Sequence, residues 1–273
     1  MNDSEFSLLN LVPTVLRARG FRLYTQGVAA KGEPRRLIDL WQNGGAAVLG
    51  HNPPNLLREL KNAASRGLYA PFPHFLRDRY FKALSRLFPG RSFRIYASPP
   101  AGLDTLFSTG AAGFWRPFLD PNSPFAIADN APPVLVPILP GIQGWRNCLP
   151  LGLCILAAES ENQLTQFPAS DILPPVLFAA AARGIYDLVA SPDRAKPVFP
   201  RIAKVLQESR WQSRGIYLSL KVKPETEAWA KLFRKFLDVG FLLPPVPTQP
   251  LILPGVLSAG EEAKLAETLA GNE

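Results

Sequence analysis

Cysteine, histidine and methionine are nearly absent: the 273 residues hold two cysteines, two histidines and one methionine. Cys148 and Cys154 are too few for a disulfide framework or a thiolate metal cluster. A pair of histidines excludes a multi-histidine metal site. Long apolar runs are lacking as well. The two longest, near Leu149–Ala158 and Ile172–Ala182, fall well short of the ~18 residues that span a bilayer. Unbroken basic runs are also missing, so the formal charge of +8 reads first as Lys and Arg solvating helix and strand faces, with a nucleic-acid surface as the lesser alternative. Asp3 and Glu5 stand where a secretory leader would be basic. The expectation is a cytoplasmic protein with neither a membrane nor a nucleic acid as partner.

Proline is abundant, at 29 residues, about twice average usage. Pro-Pro pairs begin at residues 53, 99, 132, 174 and 244, and each must mark a loop, a sheet edge or a helix start. Apolar content of 47% with 19% charged residues describes a chain with ample material for a core.

Periodicity predicts alternating strands and helices. Phe6–Leu16 is apolar on one side and reads as a short helix or docking arm. Phe21–Tyr24 and Leu37–Leu40 read as a hairpin with a glycine-containing loop. Asn55 is placed to cap a helix over 56–65, and a second helix is expected over 75–87. Phe93–Ala97 reads as a buried strand, 102–114 as weakly helical, and Phe125–Ala128 as another strand with Asp129 at its end. Val134–Ile138 is a further strand candidate, and Leu151–Ala157 reads as a strand covered on both faces. Helices are expected over 174–189, 199–208, 228–237 and 261–270, with strands at 216–222, 241–243 and 251–253. Such alternation argues for an α/β fold.

The stretch Leu37-Ile-Asp-Leu-Trp-Gln-Asn-Gly-Gly-Ala-Ala-Val-Leu-Gly-His51-Asn-Pro resembles the N-terminal segment of class III pyridoxal-phosphate aminotransferases, the ornithine and acetylornithine aminotransferases and glutamate-1-semialdehyde aminomutase among them. Leu87-Phe-Pro-Gly and Phe93–Ser98 resemble the approach to that family's Ser-Gly-Ser-Glu-Ala turn. Leu149–Gly152 is similar to the segment after the Schiff-base lysine, and Pro175–Leu188 to the helix that follows it. Arg214–Ile216, Asp238–Gly240 and Pro254–Leu257 fit the C-terminal domain in order. The resemblance implies a shortened fold-type-I transferase-like α/β protein. It would have a mostly parallel central sheet and a smaller C-terminal α/β unit. The expected division is 1–90 (hairpin and helices), 91–190 (reduced sheet domain) and 191–273 (small domain).

The departures from the family pattern bear on chemistry. Pro99 and Pro100 stand where the phosphate turn has glycine and a hydroxyl residue, and proline has no N–H to give an anion. Ser98 is left free to cap the following helix. The position of the Schiff-base lysine falls on Gln143, with no lysine between Lys82 and Lys196. An amide cannot attack an aldehyde as an amine does. The substrate-carboxylate arginine falls on Leu251. Asp129 matches the aspartate that pairs with the pyridinium nitrogen, and reads equally as a turn-capping loop residue. Ser170 matches the phosphate-binding threonine given across the dimer, and reads equally as a helix N-cap, with Asp171 beside it set to repel a phosphate.

Ser98, Asp129 and Ser170 are therefore the candidate cofactor-contacting residues, in vestigial form, with no catalytic residue and no metal ligand. His51 and His74 could act as general bases, but read first as loop histidines bonded to backbone. Cys148 reads as a buried inert thiol before a reactive one. The expected function is that of a degenerate, non-catalytic aminotransferase-like protein, a homodimer that binds a small-molecule or protein partner and needs no cofactor. The alternative is an aminotransferase-like enzyme holding pyridoxal phosphate non-covalently.

Overall fold

A computed structural model of the chain describes residues 7–28, 34–141 and 153–271. A 3-10 turn at Ser7–Leu11 leads into strands β1 (Val15–Arg19), β2 (Arg22–Val28) and β3 (Pro34–Asp39). Helices α1 (Pro54–Ala64) and α2 (Leu76–Leu87) follow, then β4 (Ser92–Tyr96), α3 (Leu103–Ser108), β5 (Ala112–Trp115), β6 (Val134–Pro137) and β7 (Cys154–Ala158). Next come α4 (Pro175–Val189), α5 (Pro200–Glu208), β8 (Trp211–Arg214), β9 (Tyr217–Leu220) and α6 (Thr226–Asp238). The chain closes with β10 (Phe241–Leu242), β11 (Leu251–Ile252) and α7 (Ala259–Ala270). Three helices, α1, α4 and α5, open on proline at their first turn, where the missing N–H costs no hydrogen bond.

The chain divides into two units where three stretches were expected. One comprises 1–52, 119–122 and 193–273, the other 53–118 and 123–192. Residues distant in sequence meet in the first unit because β3 pairs in parallel with β10, in the sheet order β1-β2-β3-β10. A second sheet of that unit, β11-β9-β8, is antiparallel throughout. Helix α6 turns Trp229, Leu232, Phe233 and Phe236 inward, where Trp211 and Phe236 meet edge-on at 6.3 Å.

The other unit is built on the sheet β4-β7-β6-β5. Strands β6 and β7 are buried at every position, as expected of strands covered on both faces. Side chains of Tyr96, Leu103, Val136, Cys154, Leu156 and Phe167 form one core cluster, each large apolar member contributing about 1.5–3 kcal/mol by leaving water. Helices α1 and α2 both pack on α4. The α/β class holds, and β4, β5 and β6 run in one direction as expected; β7 alone runs against them, antiparallel to both neighbours. An apolar run signals burial and carries no direction; the connections set that.

Several local expectations are corrected. Phe125–Ala128 is not a strand. Phe118, at φ 65°, donates its N–H to the Pro124 carbonyl at 2.6 Å and stacks on Phe125 at 5.6 Å, which folds that segment into a loop. The strand lies instead at Ala112–Trp115, inside the stretch expected to be helical, where pairing with β6 outweighs weak helix propensity. Residues 15 and 16, the end of the stretch expected to be a short helix or docking arm, instead open β1 because β2 offers a partner edge. Asn55 does not cap α1: its amide donates to Asp187 Oδ1 at 3.2 Å.

Candidate functional site

Strand β4 delivers Ala97 and Ser98 to the turn that the sequence singles out. Ser98 is exposed, Pro99 and Pro100 half-buried. The following helix α3 is capped by Gly102 at φ 85° with no side-chain acceptor, so the cap expected from Ser98 is not made. Segment 170–171 closes the outer edge of β4. Ser170 Oγ accepts from Ile95 N–H at 3.1 Å, and Asp171 N–H donates to the Ile95 carbonyl at 2.9 Å. Asp171 Oδ2 then accepts from Ala97 N–H at 2.8 Å. Arg94 secures the same edge by donating to the Phe167 and Pro168 carbonyls at 3.0 and 2.8 Å. Ser170 thus acts as a strand-edge acceptor and is not the N-cap of α4, which falls at Pro174.

The turn as built repels a dianion. Two of its residues lack N–H groups, and the Ala97 donor is taken by a carboxylate. This turn by itself therefore offers the phosphate of pyridoxal phosphate few donors. Asp129 is exposed in a loop tied to β5 by the Trp115 indole, which donates to the Ala126 carbonyl at 3.2 Å. Strands β4 and β5 are the two edges of the sheet, about 14 Å apart by strand spacing. Ser98 and Ser170 are brought together; Asp129 is beside the opposite edge. Gln143 and Cys148 lie outside the described residues. Cys154 is buried in β7, where the loss of water pushes its thiol up to about 12, so it is inert.

In the other unit the structure assembles a pair that sequence reasoning missed. Asp39, at the end of β3, is 2% exposed, and its Oδ2 lies 2.7 Å from His51 Nε2. Its Oδ1 accepts from the N–H groups of Trp41 and Gln42 at 2.9 and 2.8 Å. Those bonds hold a sharp loop in which Gln42, Asn43, Gly44 and Gly45 all have positive φ. Gln42 is fully buried, with Nε2 donating to the Ile252 carbonyl at 2.9 Å. His51 is held from its backbone too, exchanging N–H···O bonds with Gly20 at 2.6 and 3.1 Å. Glycine is required at Gly50, which has φ 92° and would set a Cβ 3.0 Å from Gly20 Cα.

The ring's other nitrogen, Nδ1, is left to a further partner, an arrangement that orients a ligand contact. The signal in the sequence was the twelve-residue interval between Asp39 and His51 across a glycine-rich loop, which no local periodicity connects. His74 fulfils the backbone role expected of it, its Nδ1 accepting from Leu76 N–H at 3.2 Å. Arg194 is a further buried group: it donates to the Val48 and Leu253 carbonyls and lies over the Phe21 ring at 5.1 Å. Burial pushes its guanidinium down to about 10, which leaves it charged at neutral pH. Among the described residues, no cluster of His, Cys, Asp and Glu could hold a metal ion, and no helix is long and apolar enough to cross a membrane.

Comparison with solved structures places this architecture. The ornithine δ-aminotransferase of Plasmodium falciparum superposes with a TM-score of 0.62 at 12% identity, over 94% of this chain and 92% of that one. The fold is that of the pyridoxal-phosphate-dependent aminotransferases. The N-acetylornithine aminotransferase of Stenotrophomonas maltophilia gives 0.60 at 16% identity over 97% of each chain. At these identities the likeness is one of fold. No family model matches the sequence. An uncharacterized protein of Treponema pallidum is 27% identical over 93% of both chains. One of Borreliella burgdorferi is 31% identical over 31% of this chain and 29% of its own length.

Proposed function

We propose that this aminotransferase-like protein forms no Schiff base and acts by binding a partner or small ligand. The observation that carries the reading is the carboxylate of Asp171 on the Ala97 N–H, at the turn where the fold's enzymes would hold phosphate. Gln143 at the lysine position supports it from the sequence. Incubation with pyridoxal phosphate followed by borohydride reduction is expected to yield no aldimine absorbance and no site-specific phosphopyridoxyl-lysine. A stoichiometric label on one lysine would overturn the reading. Stoichiometric retention of unreduced cofactor on dialysis, without a label, would favour the non-covalent alternative.

Self-association as a homodimer belongs to the same proposal. Tyr69, Phe72, Phe75 and Ile172 are large apolar side chains left exposed on one unit. Tyr69 and Ile172 are brought near by the bond from Val176 N–H to the Leu68 carbonyl. A patch of this kind favours a second copy as its cover. Light scattering is expected to give twice the 29.9 kDa chain mass, and Tyr69→Glu with Phe75→Glu to give the monomer. A wild-type monomer at micromolar concentration would count against it.

A further inference from the structure

We propose that the outward face of the sheet β1-β2-β3 binds the phosphodiester backbone of a single-stranded nucleic acid. The register makes the face. Arg17 pairs with Tyr24 and Tyr24 with Arg36, giving one cross-strand row; Arg19 pairs with Arg22 and Arg22 with Ile38, giving a second. Directly opposed residues share a face, so these two rows gather arginines that the sequence scatters between positions 17 and 36. The opposite face carries Leu23, Leu37, Thr25 and Asp39, all buried; on the arginine face Ile38 is buried as well, and the solvent side is the part that carries Arg17, Arg19, Tyr24 and Arg36.

Charge on this face is only partly neutralised. Arg22 forms a two-bond pair with Glu261 at 3.0 and 2.5 Å. Arg17, Arg19 and Arg36 are exposed, and among the described residues none of them is in an ion pair. Arg17 instead lies over the Tyr24 ring, 4.1 Å from its centroid, an arrangement that fixes the guanidinium while leaving its N–H edge open.

The face suits a flexible polyanion. Guanidinium groups bind phosphate oxygens through two parallel N–H bonds, which ammonium groups cannot do. Arg17 and Arg19 are about 6.8 Å apart along β1, and Arg17 and Arg36 about 9.6 Å apart across two strand spacings. A single strand can follow that pattern while a base covers Tyr24 between the charges; a duplex hides its bases and cannot. The charge lies in the unit that does not contain the turn after β4, so the inference stands or falls apart from the cofactor reading.

The test is fluorescence anisotropy of a labelled oligo(dT) of about twenty nucleotides, a length exceeding one sheet-sized site, with the full-length protein. Between about 50 and 200 mM salt, three phosphate contacts predict a slope of log K against log salt near −2. The triple variant Arg17→Ala, Arg19→Ala, Arg36→Ala is expected to lose affinity by about tenfold or more at low salt and most of that slope. Lys204→Ala, Lys231→Ala, Arg234→Ala removes the same charge from exposed helix positions and is expected to bind like wild type. Tyr24→Ala keeps every charge and is expected to weaken binding several-fold with the slope nearly intact. Equal loss in both triple variants would reduce the effect to net charge and overturn the proposal. So would equal affinity for a blunt duplex, or binding to phosphatidylserine vesicles with none to the oligonucleotide.

Discussion

Asp39→Ala is expected to lower stability by about 3–5 kcal/mol, the cost of stranding two loop N–H groups and a histidine at the lower part of about 1–3 kcal/mol per lost partner, since two of the three bonds are only partly buried. The carboxylate is 2% exposed and accepts from Trp41 N–H, Gln42 N–H and the His51 ring. Water has no easy route to replace it. The loop it holds includes non-glycine residues Gln42 and Asn43 at φ 50° and 49°, conformations that cost about 1–3 kcal/mol each unless the surroundings enforce them. Without the carboxylate those residues are free to relax, and the register of His51 against Gly20 goes with them.

Thermal melts read the loss, which corresponds to about 10 °C in Tm at about 2–4 °C per kcal/mol. Asp39→Asn keeps an acceptor for the two N–H groups and presents an amide to His51, whose other tautomer can accept. It is expected to recover about half the loss. His51→Ala removes a single partner at the half-exposed end and is expected to cost the least of the three. An Asp39→Ala protein that melts with the wild type would show that the pair does not hold the loop.

Gly184→Ala in α4 sets two effects against each other. Helix propensity alone favours alanine by about 1 kcal/mol in a helix interior. Packing opposes it: a Cβ at Gly184 would stand 2.2 Å from the Pro140 carbonyl oxygen and 3.1 Å from its carbon. Backbone, unlike a side-chain tip, cannot swing aside. The adjoining Gly141, at φ 113°, is itself hemmed in by Leu56, whose Cδ1 would lie 2.9 Å from a Cβ there. Overpacking of this kind costs about 1–3 kcal/mol, occasionally more. Contact with backbone at such range puts this site at the upper end, so the net expectation is a loss of about 2 kcal/mol. Chemical denaturation checks it through the midpoint. A stabilised alanine variant would mean that α4 and the Pro140 segment are farther apart than described.

Ser98 and Ser170 show how far resemblance carries. Segment 170–171 meets the end of β4, with Ser170 on Ile95 and Asp171 on Ala97, the residue before Ser98. What they bond to was not legible. Ser170 serves the Ile95 N–H because β4 is a sheet edge that must be satisfied, and edge position follows from strand order, which no local pattern encodes. Asp129 fails to join them for the same reason: its loop belongs to the far edge of the sheet.

The amino-acid sequence by itself determined which segments are buried and which are turns. Runs such as Leu153–Ala158, the inward stripe of Trp229, Phe233 and Phe236, and the prolines that open α1, α4 and α5 are local signals, and local energetics decide them. It also determined that Gln143 and Pro99–Pro100 stand at the positions where the resemblance places a lysine and N–H donors, since a group not encoded at a position cannot be folded into it. Tertiary structure alone decided partnership. Asp39 meets His51, Asp171 meets Ala97, and Arg17 and Arg19 share a face with Arg36. Each of those pairs is set by strand pairing and edge order, which depend on the loop closures of the whole chain and not on any window of it.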